Sequence, residues 1–411
     1  MNKKVILAVA DGVGDRPCKI LEGKTPLEYA STPNLDKLAS MGTTGIMDVL
    51  GAGIPVGTDL GHMILFGYGL EDYPGRGPIE AFGREIELQA GDVAFRSNFA
   101  TVNDDLCVVD RRSGRIRENT NQLAQALNGM EIDGIKVIFK EATEHRAVLI
   151  LRGPGLSANI TDTDPKIAGD NVSYKKCQSK DGKPDSIFTA EILNKFLLKA
   201  NEILSKHPVN EERISKGLLP ANFILTRGAG IMPDLEKISE KLNIKGACVA
   251  AEGTVLGVAR LAGFTALTAS TMTGNIDTDV NAKAQMAIDA LKDHDFVLVN
   301  LKATDLFGHD GNPEKKAQAV EVFDKFIGLL LEANLENTII AVTADHSTPC
   351  ERMEHSGDPV PVLIAGSGIR QDRVTKFDEI SCSYGGLGRI KGKDLSNTLY
   401  DFLEKTKKQG N

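Results

Sequence analysis

The sequence predicts an α/β protein in which a mainly parallel sheet carries helices on both faces, with a smaller α/β domain inserted into it. Three observations carry that expectation. Short, continuous apolar runs rich in β-branched residues, Lys4–Ala10, Phe296–Leu301 and Thr338–Thr343, each end abruptly at polar residues, as strands buried on both faces do. Segments with helix start signals lie among them. At 411 residues the chain exceeds one ordinary core.

Taken in order, Lys4–Ala10 is stopped by Asp11-Gly-Val-Gly14. Thr32-Pro33 supplies an N-cap and a first-turn proline ahead of Leu35 and Leu38, and Asn312-Pro313 does the same ahead of Ala319, Phe323, Phe326, Ile327 and Leu330. Pro55-Val-Gly-Thr-Asp-Leu-Gly-His62 reads as a Gly-containing turn that opens a helix. Asp305 and His309 fall between the Phe296–Leu301 strand and the helix begun by Pro313, so they are expected in the connecting loop. The middle of the chain differs: residues 165–187 read as a polar loop with Gly169, Gly182 and Pro184. Residues 1–75 and 236–411 are therefore expected to form one domain, with 76–235 inserted.

Asp11, Asp305, His309, Asp345, His346 and His355 are candidate metal ligands, and none of the six lies between 76 and 235. Oxygen and imidazole donors of this kind suit Zn, Mn or Mg. Asp11, Asp305 and Asp345-His346 each follow a strand, and in an open parallel sheet ligands bind beyond those carboxyl ends. One Asp after a strand is commonly a turn former. Several such fragments alternating with helices point instead to a two-metal site and phosphoryl chemistry. That chemistry needs a nucleophile, and Thr58 is the candidate: its hydroxyl could face a metal while helix N-terminal amides face a phosphate. Alone, the same Thr also fits an ordinary N-cap.

The motifs Ala10-Asp-Gly-Val-Gly-Asp15, Thr58-Asp-Leu-Gly-His62, Gly75-Arg-Gly-Pro78, His145-Arg146, Arg227-Gly-Ala-Gly230, Asp305 with His309, Ala344-Asp-His-Ser347, and His355 with Pro359-Val-Pro361 resemble the archaeal type of cofactor-independent phosphoglycerate mutases. That family is a branch of the alkaline phosphatase superfamily, and the resemblance runs from Lys4 to about Leu403. It implies an alkaline-phosphatase-like, metal-binding domain and an inserted substrate-binding domain that rocks over it. It further implies two divalent ions (Mn, Zn, Mg or Co), one on Asp305, His309 and His355 and one on Asp11, Asp345, His346 and Thr58, with no requirement for 2,3-bisphosphoglycerate. The substrate would be a small phosphorylated hydroxy acid, 3-phosphoglycerate converted to 2-phosphoglycerate through phosphorylated Thr58. Arg76, His145, Arg146 and Arg227 would bind it, and Lys302, past the strand and three residues before Asp305, is a further phosphate contact. The family usually has Ser where this chain has Thr58, which keeps the hydroxyl but stiffens χ1. A metallophosphohydrolase, a phosphotransferase for another hydroxy acid such as homoserine, and a binding protein without turnover are the competing readings.

A formal net charge of -8, with no basic cluster interleaved with aromatics, argues against nucleic-acid binding. No apolar segment reaches membrane-spanning length. The run after Lys3-Lys4 is too short for a signal peptide and lacks a cleavage site, so the expected location is cytoplasmic. Cys18, Cys107, Cys177, Cys248, Cys350 and Cys382 are widely spaced without a CxxC and are expected as reduced thiols. His62 is expected on a helix near the site, His207 and His294 at the surface.

Overall fold

The computed structural model describes residues 3–169 and 171–410. Two units divide the chain, one built from the residues up to Tyr73 and from Glu236 onward, the other from Pro74–Leu235.

Among the described residues, eight strands make the first unit's sheet, in the order Thr265–Leu267, Gly246–Val249, Phe296–Leu301, Lys4–Ala10, Thr338–Thr343, Val360–Ala365, Gly42–Asp48, Gly388–Lys391. Every pairing is parallel except those of Val360–Ala365, which runs against both neighbours. Phe296–Leu301 and Thr338–Thr343 are buried at every position, and Lys4–Ala10 at all but its first. Both faces are therefore covered, which is why these strands read as unbroken apolar runs. Each fully buried Ile6 or Leu7 side chain contributes about 1.5–3 kcal/mol, so the sheet centre is a stiff platform.

That platform aligns the loops. Ala10 pairs with Leu301 and Val9 with Thr343, so the residues that follow these three parallel strands emerge together at one sheet edge. Val360–Ala365 is antiparallel and begins at that same edge, which brings in the preceding His355. Asp305 and His309 are not in a loop as expected. They sit on a helix of their own, Ala303–His309, one turn apart on one face. Thr32 does occupy the N-cap position of helix Pro33–Ala39, but its side chain makes no capping bond. Asp324, from helix Pro313–Glu332, accepts the Asn34 and Leu35 backbone N–H groups at 3.0 and 2.7 Å instead. Asn312 caps as expected, its Oδ1 accepting from Lys315 N at 3.0 Å.

The second unit holds a six-stranded antiparallel sheet with Val93–Val102 between Arg146–Arg152 and Phe223–Ile231. Helix Pro184–Ser205 packs Ile192, Leu193, Phe196 and Leu197 into a core with Phe95, Phe99 and Leu149. This helix begins inside the segment expected to be loop through 187, because Pro184 starts a helix here; Asp170 of that segment lies outside the described residues. Helix Arg76–Gly83 packs Ala81 against Ala94, Val148 and Ile150. A Cβ at Gly77 would come within 1.9 Å of Ala94 O, so this approach of helix to strand requires glycine.

Among the described residues no helix is long and apolar enough to cross a membrane. All six cysteines are free and buried. His207 and His294 are partly buried rather than surface residues: His207 Nδ1 accepts from Val209 N at 3.2 Å to cap a helix, and His294 bonds Ala290 O at 2.9 Å.

Candidate metal centre and nucleophile

Helix Thr58–Leu65 starts with Gly57 as its N-cap and Thr58 as its first residue, so the Thr58 hydroxyl is not used as a cap. It lies 3.3 Å from His346 Nε2, and Lys302 Nζ donates to it at 3.2 Å. Asp11, Asp345 and His346 beside it are fully or almost fully buried. His346 Nε2 stands 3.4 Å from Asp11 Oδ1 and 3.3 Å from Asp345 Oδ2. A second group adjoins: Asp305 Oδ1 is 3.4 Å from His355 Nε2 and 3.5 Å from His309 Nε2, and those two ring nitrogens are 3.1 Å apart.

The tautomers follow from the outer bonds. Thr348 Oγ1 gives its one proton to Asp305 Oδ1 at 2.6 Å and so must accept from His346 Nδ1 at 3.0 Å. His309 Nδ1 bonds Met353 O at 3.0 Å and His355 Nδ1 bonds Val56 O at 2.8 Å, again as donors. All three rings thus turn an unprotonated Nε2 inward, and two of these lone pairs face each other. Neutral ring nitrogens and carboxylate oxygens crowded this way repel unless a metal ion or a proton lies between them. Donors around a tetrahedral ion with bonds of about 2.0–2.1 Å stand roughly 3.3 Å apart, which is the spacing in both groups. The donor set therefore fits divalent metal ions.

His62 is buried on the helix as expected, and it could join Asp11 and Asp345 in a cation site by proximity alone. Its nitrogens are already used. Nδ1 donates to Thr58 O at 2.8 Å and lies 3.2 Å from Asp345 Oδ2, while Nε2 accepts from Asn300 Nδ2 at 3.1 Å. The same Asn300 amide donates to Asp11 Oδ2 at 2.9 Å, so His62 and Asn300 orient Asp11 and Asp345 rather than add donors of their own.

Lys302 Nζ reaches Asp11 Oδ1 at 2.9 Å and Asp305 Oδ2 at 2.7 Å. Burial alone would push its ammonium down, but the Asp11, Asp305 and Asp345 carboxylates hold it above the ordinary lysine range. Burial likewise works against the charged forms of Asp11 and Asp305, and Lys302, together with His346 and His355 when a proton on Nε2 stands in for a metal, keeps both below the usual carboxylate range. Gly12 has φ +64, and a Cβ there would lie 2.6 Å from Thr348 Oγ1 and 2.8 Å from Asp305, so the loop after Asp11 closes on the site only as glycine. Lys316 fastens this loop from behind, donating to Gly14 O, Thr348 O and Asp15 Oδ2 at 3.2, 2.9 and 2.8 Å.

In the second unit, Arg76 starts helix Arg76–Gly83, Arg146 starts its strand, and Arg227 lies opposite Arg96 on the neighbouring strand. Burial and repulsion from Arg76, Arg227 and Arg146, partly offset by Glu80, push Arg96 down to about 10. His145 is pushed down to about 4 by burial and by Arg146 and Arg112. Asn300, Thr348 and Arg96 were not singled out from the sequence. Asn300 carried one signal, a polar residue inside an otherwise apolar strand.

The fold and this edge define a class: an α/β protein that gathers metal-capable carboxylates and imidazoles beside a helix-borne hydroxyl. The family profile described as 2,3-bisphosphoglycerate-independent phosphoglycerate mutase matches residues 39–210. A 2,3-bisphosphoglycerate-independent phosphoglycerate mutase of Methanothermobacter thermautotrophicus is 44% identical over 99% of this chain and 100% of its own. One from Thermococcus kodakarensis is 46% identical over 100% of this chain and 99% of its own. Among solved structures, a Pyrococcus horikoshii protein matches with TM-score 0.84 at 40% identity over the whole of both chains. The cofactor-independent phosphoglycerate mutase of Thermoplasma acidophilum matches with TM-score 0.75 at 38% identity over 98% of this chain and 100% of its own. The chain belongs to the 2,3-bisphosphoglycerate-independent phosphoglycerate mutase family, as the motif resemblance implied.

Proposed function

We propose that this chain interconverts 3-phosphoglycerate and 2-phosphoglycerate in two phosphoryl transfers through Thr58, without 2,3-bisphosphoglycerate. The observation that carries the reading is the Thr58 hydroxyl, 3.3 Å from an inward-facing His346 Nε2 and 3.2 Å from the Lys302 ammonium at a helix N-terminus. The names of relatives alike over the full length support the substrate.

Thr58 Oγ attacks phosphorus, the bond from phosphorus to the substrate's 3-oxygen breaks, and that oxygen takes up a proton. The glycerate turns, its 2-hydroxyl attacks phosphorylated Thr58, and Thr58 Oγ leaves with a proton restored. Asp305, His309 and His355 would hold one divalent ion, and Asp11, Asp345 and His346 another, Mn, Zn, Mg or Co by donor chemistry; bound there, the ions supply Lewis-acid stabilisation of the entering and leaving oxygens. Lys302 and the amides of the first helical turn offset charge on the phosphoryl oxygens. Arg76, Arg146 and Arg227, with His145, hold the acid while it turns, since guanidinium forks match carboxylate and phosphate. Six buried free thiols fit a cytoplasmic enzyme.

The test is phosphorus NMR of the purified, metal-replete protein with 3-phosphoglycerate. Growth of a 2-phosphoglycerate signal is expected. Inorganic phosphate in its place would replace the reading with a phosphohydrolase, and phosphate transfer only to an added hydroxy acid such as homoserine would replace it with a phosphotransferase.

A further inference from the structure

Buried side-chain polar atoms without a hydrogen-bond partner fall, among the described residues, in two places. Asn300 Oδ1 and Asp345 Oδ2 belong to the metal-capable edge; Arg96 Nε, Ser97 Oγ, Asn98 Oδ1, Ser113 Oγ and His145 Nδ1 all belong to the Pro74–Leu235 unit. Leaving such a group unpaired is unfavourable, and unpaired groups that share one face call for a ligand.

The strand register shows which of them share a surface. Arg96 stands opposite Arg227 on one side and Val148 on the other, and Asn98 stands opposite Arg146. Directly opposed residues, and residues two apart on one strand, point to the same face. Arg96, Asn98, Arg146 and Arg227 therefore occupy the face on which helix Arg76–Gly83 also packs through Ala81. Like charges directly opposed across strands destabilise a sheet. Asp164 and Asp162 act on Arg227, while Glu80 Oε1 lies 3.7 Å from Arg96 Nη1 and 3.5 Å from Arg76 Nε, both loose contacts. Arg96, with only 15% of its side chain exposed, keeps its Nε without a partner.

We propose that Arg96 is a specificity-determining residue that binds the substrate's carboxylate on its free Nε edge, and that Glu80, at Nη1, is an internal carboxylate that competes for the charge of the same guanidinium. This rests on the mutase reading above. A carboxylate is favoured because the phosphoryl group leaves for Thr58 in mid-reaction, whereas the carboxylate persists through both transfers. A carboxylate taken side-on by a guanidinium bonds Nε and Nη2 in parallel, as Asp164 does on Arg111; Arg96 Nε is without a partner and Glu80 meets Arg96 at Nη1, off that edge. The substrate class that follows is a short acid with both a carboxylate and a phosphoryl group.

Full-length Arg96→Gln, Arg96→Lys and Glu80→Gln are compared with the parent chain for kcat and KM on 3-phosphoglycerate, with a thermal melt on each. Arg96→Gln should raise KM by about tenfold or more, with a smaller effect on kcat, and Arg96→Lys should recover only part because a point charge cannot make both bonds. Glu80→Gln should lower KM, since the internal competitor is gone. A merely structural pair would lower melting temperature without moving KM in opposite directions. An unchanged KM in Arg96→Gln, or a raised KM in Glu80→Gln, overturns the proposal and leaves the mutase reading standing. If the parent chain itself does not interconvert the phosphoglycerates, the mutase reading fails. The thermal shift given by 3-phosphoglycerate then decides: loss in Arg96→Gln supports the anion site, and an equal shift in both proteins overturns it.

Discussion

Lys302 Nζ stands 3.2 Å from Thr58 Oγ1 while also holding Asp11 and Asp305 at 2.9 and 2.7 Å. The hydroxyl is thus the uncharged oxygen beside a cation that carboxylates keep protonated. Lys302 is not a metal donor, so Lys302→Met should retain metal, yet lower turnover by about 10²–10³, the usual cost of one preorganised charge at a reacting oxygen. Turnover and bound metal per chain are measured together. A variant as fast as the parent would remove Lys302 from the chemistry.

Thr58 separates a nucleophile from a structural residue. Thr58→Ser keeps the hydroxyl and frees χ1, so turnover should be kept or raised. Thr58→Val preserves shape, removes the oxygen, and should abolish turnover with both donor groups still able to hold metal. Peptide mass spectrometry after substrate addition should find a phosphoryl group on Thr58 in the parent chain. Substantial turnover by Thr58→Val would show that the group passes elsewhere.

Asp305→Ala or His346→Ala should lose both metal and activity while the fold survives. Each removes one donor from a group spaced about 3.3 Å for a small cation, and the sheet beneath, with Val5, Ile6, Leu7, Ala8 and Val9 fully buried, does not depend on either side chain. Metal analysis and a thermal melt are read side by side. Full turnover with one metal missing would refute a two-metal mechanism.

The parts of the site that follow buried parallel strands were legible because such strands are unbroken apolar runs. Lys4–Ala10, Phe296–Leu301 and Thr338–Thr343 end at Asp11, Lys302 and the Asp345-His346 pair for that reason. The Ala303–His309 helix was not legible, since seven residues are too few to show a helical period. Thr348 bonds Asp305 as well as the nearby His346, and Asn300, although a polar residue in an apolar strand, gains its role only through Asp11 and His62, both distant in sequence. Arg96 sits in a strand where one charged residue reads as ordinary alternation; only the register beside Arg227 gives it meaning.

Asp324 is the clearest case of a cap that local sequence does not announce. It is 4% exposed and accepts from Asn34 N, Leu35 N and Asn34 Nδ2 at 3.0, 2.7 and 2.8 Å. Asp324→Ala would leave two helix-start amides unpaired in a buried position and should cost about 2–3 kcal/mol in urea unfolding. Asp324→Asn, which keeps an acceptor, should cost less. Equal losses in the two variants would argue that packing, not the cap, is what matters.

Glu379 gives the fold a pH dependence away from the metal-capable edge. Its carboxylate accepts from Asp15 N at 3.2 Å and Thr25 Oγ1 at 2.8 Å. Burial nevertheless pushes it up from 4.5 to about 7, with these bonds and Lys316 offsetting only part. Between those two values the unfolded chain has released the proton that the folded chain still holds. Stability attributable to Glu379 is therefore fully present below pH 4.5, falls as pH rises toward 7, and is lost above it. The loss is about 3 kcal/mol at most. Glu379→Gln cannot ionise, so it should match the parent near pH 4.5 and exceed it in stability at pH 8. Urea unfolding of both proteins at the two pH values measures the difference, and a gap that stays constant with pH would show that Glu379 does not titrate in this range.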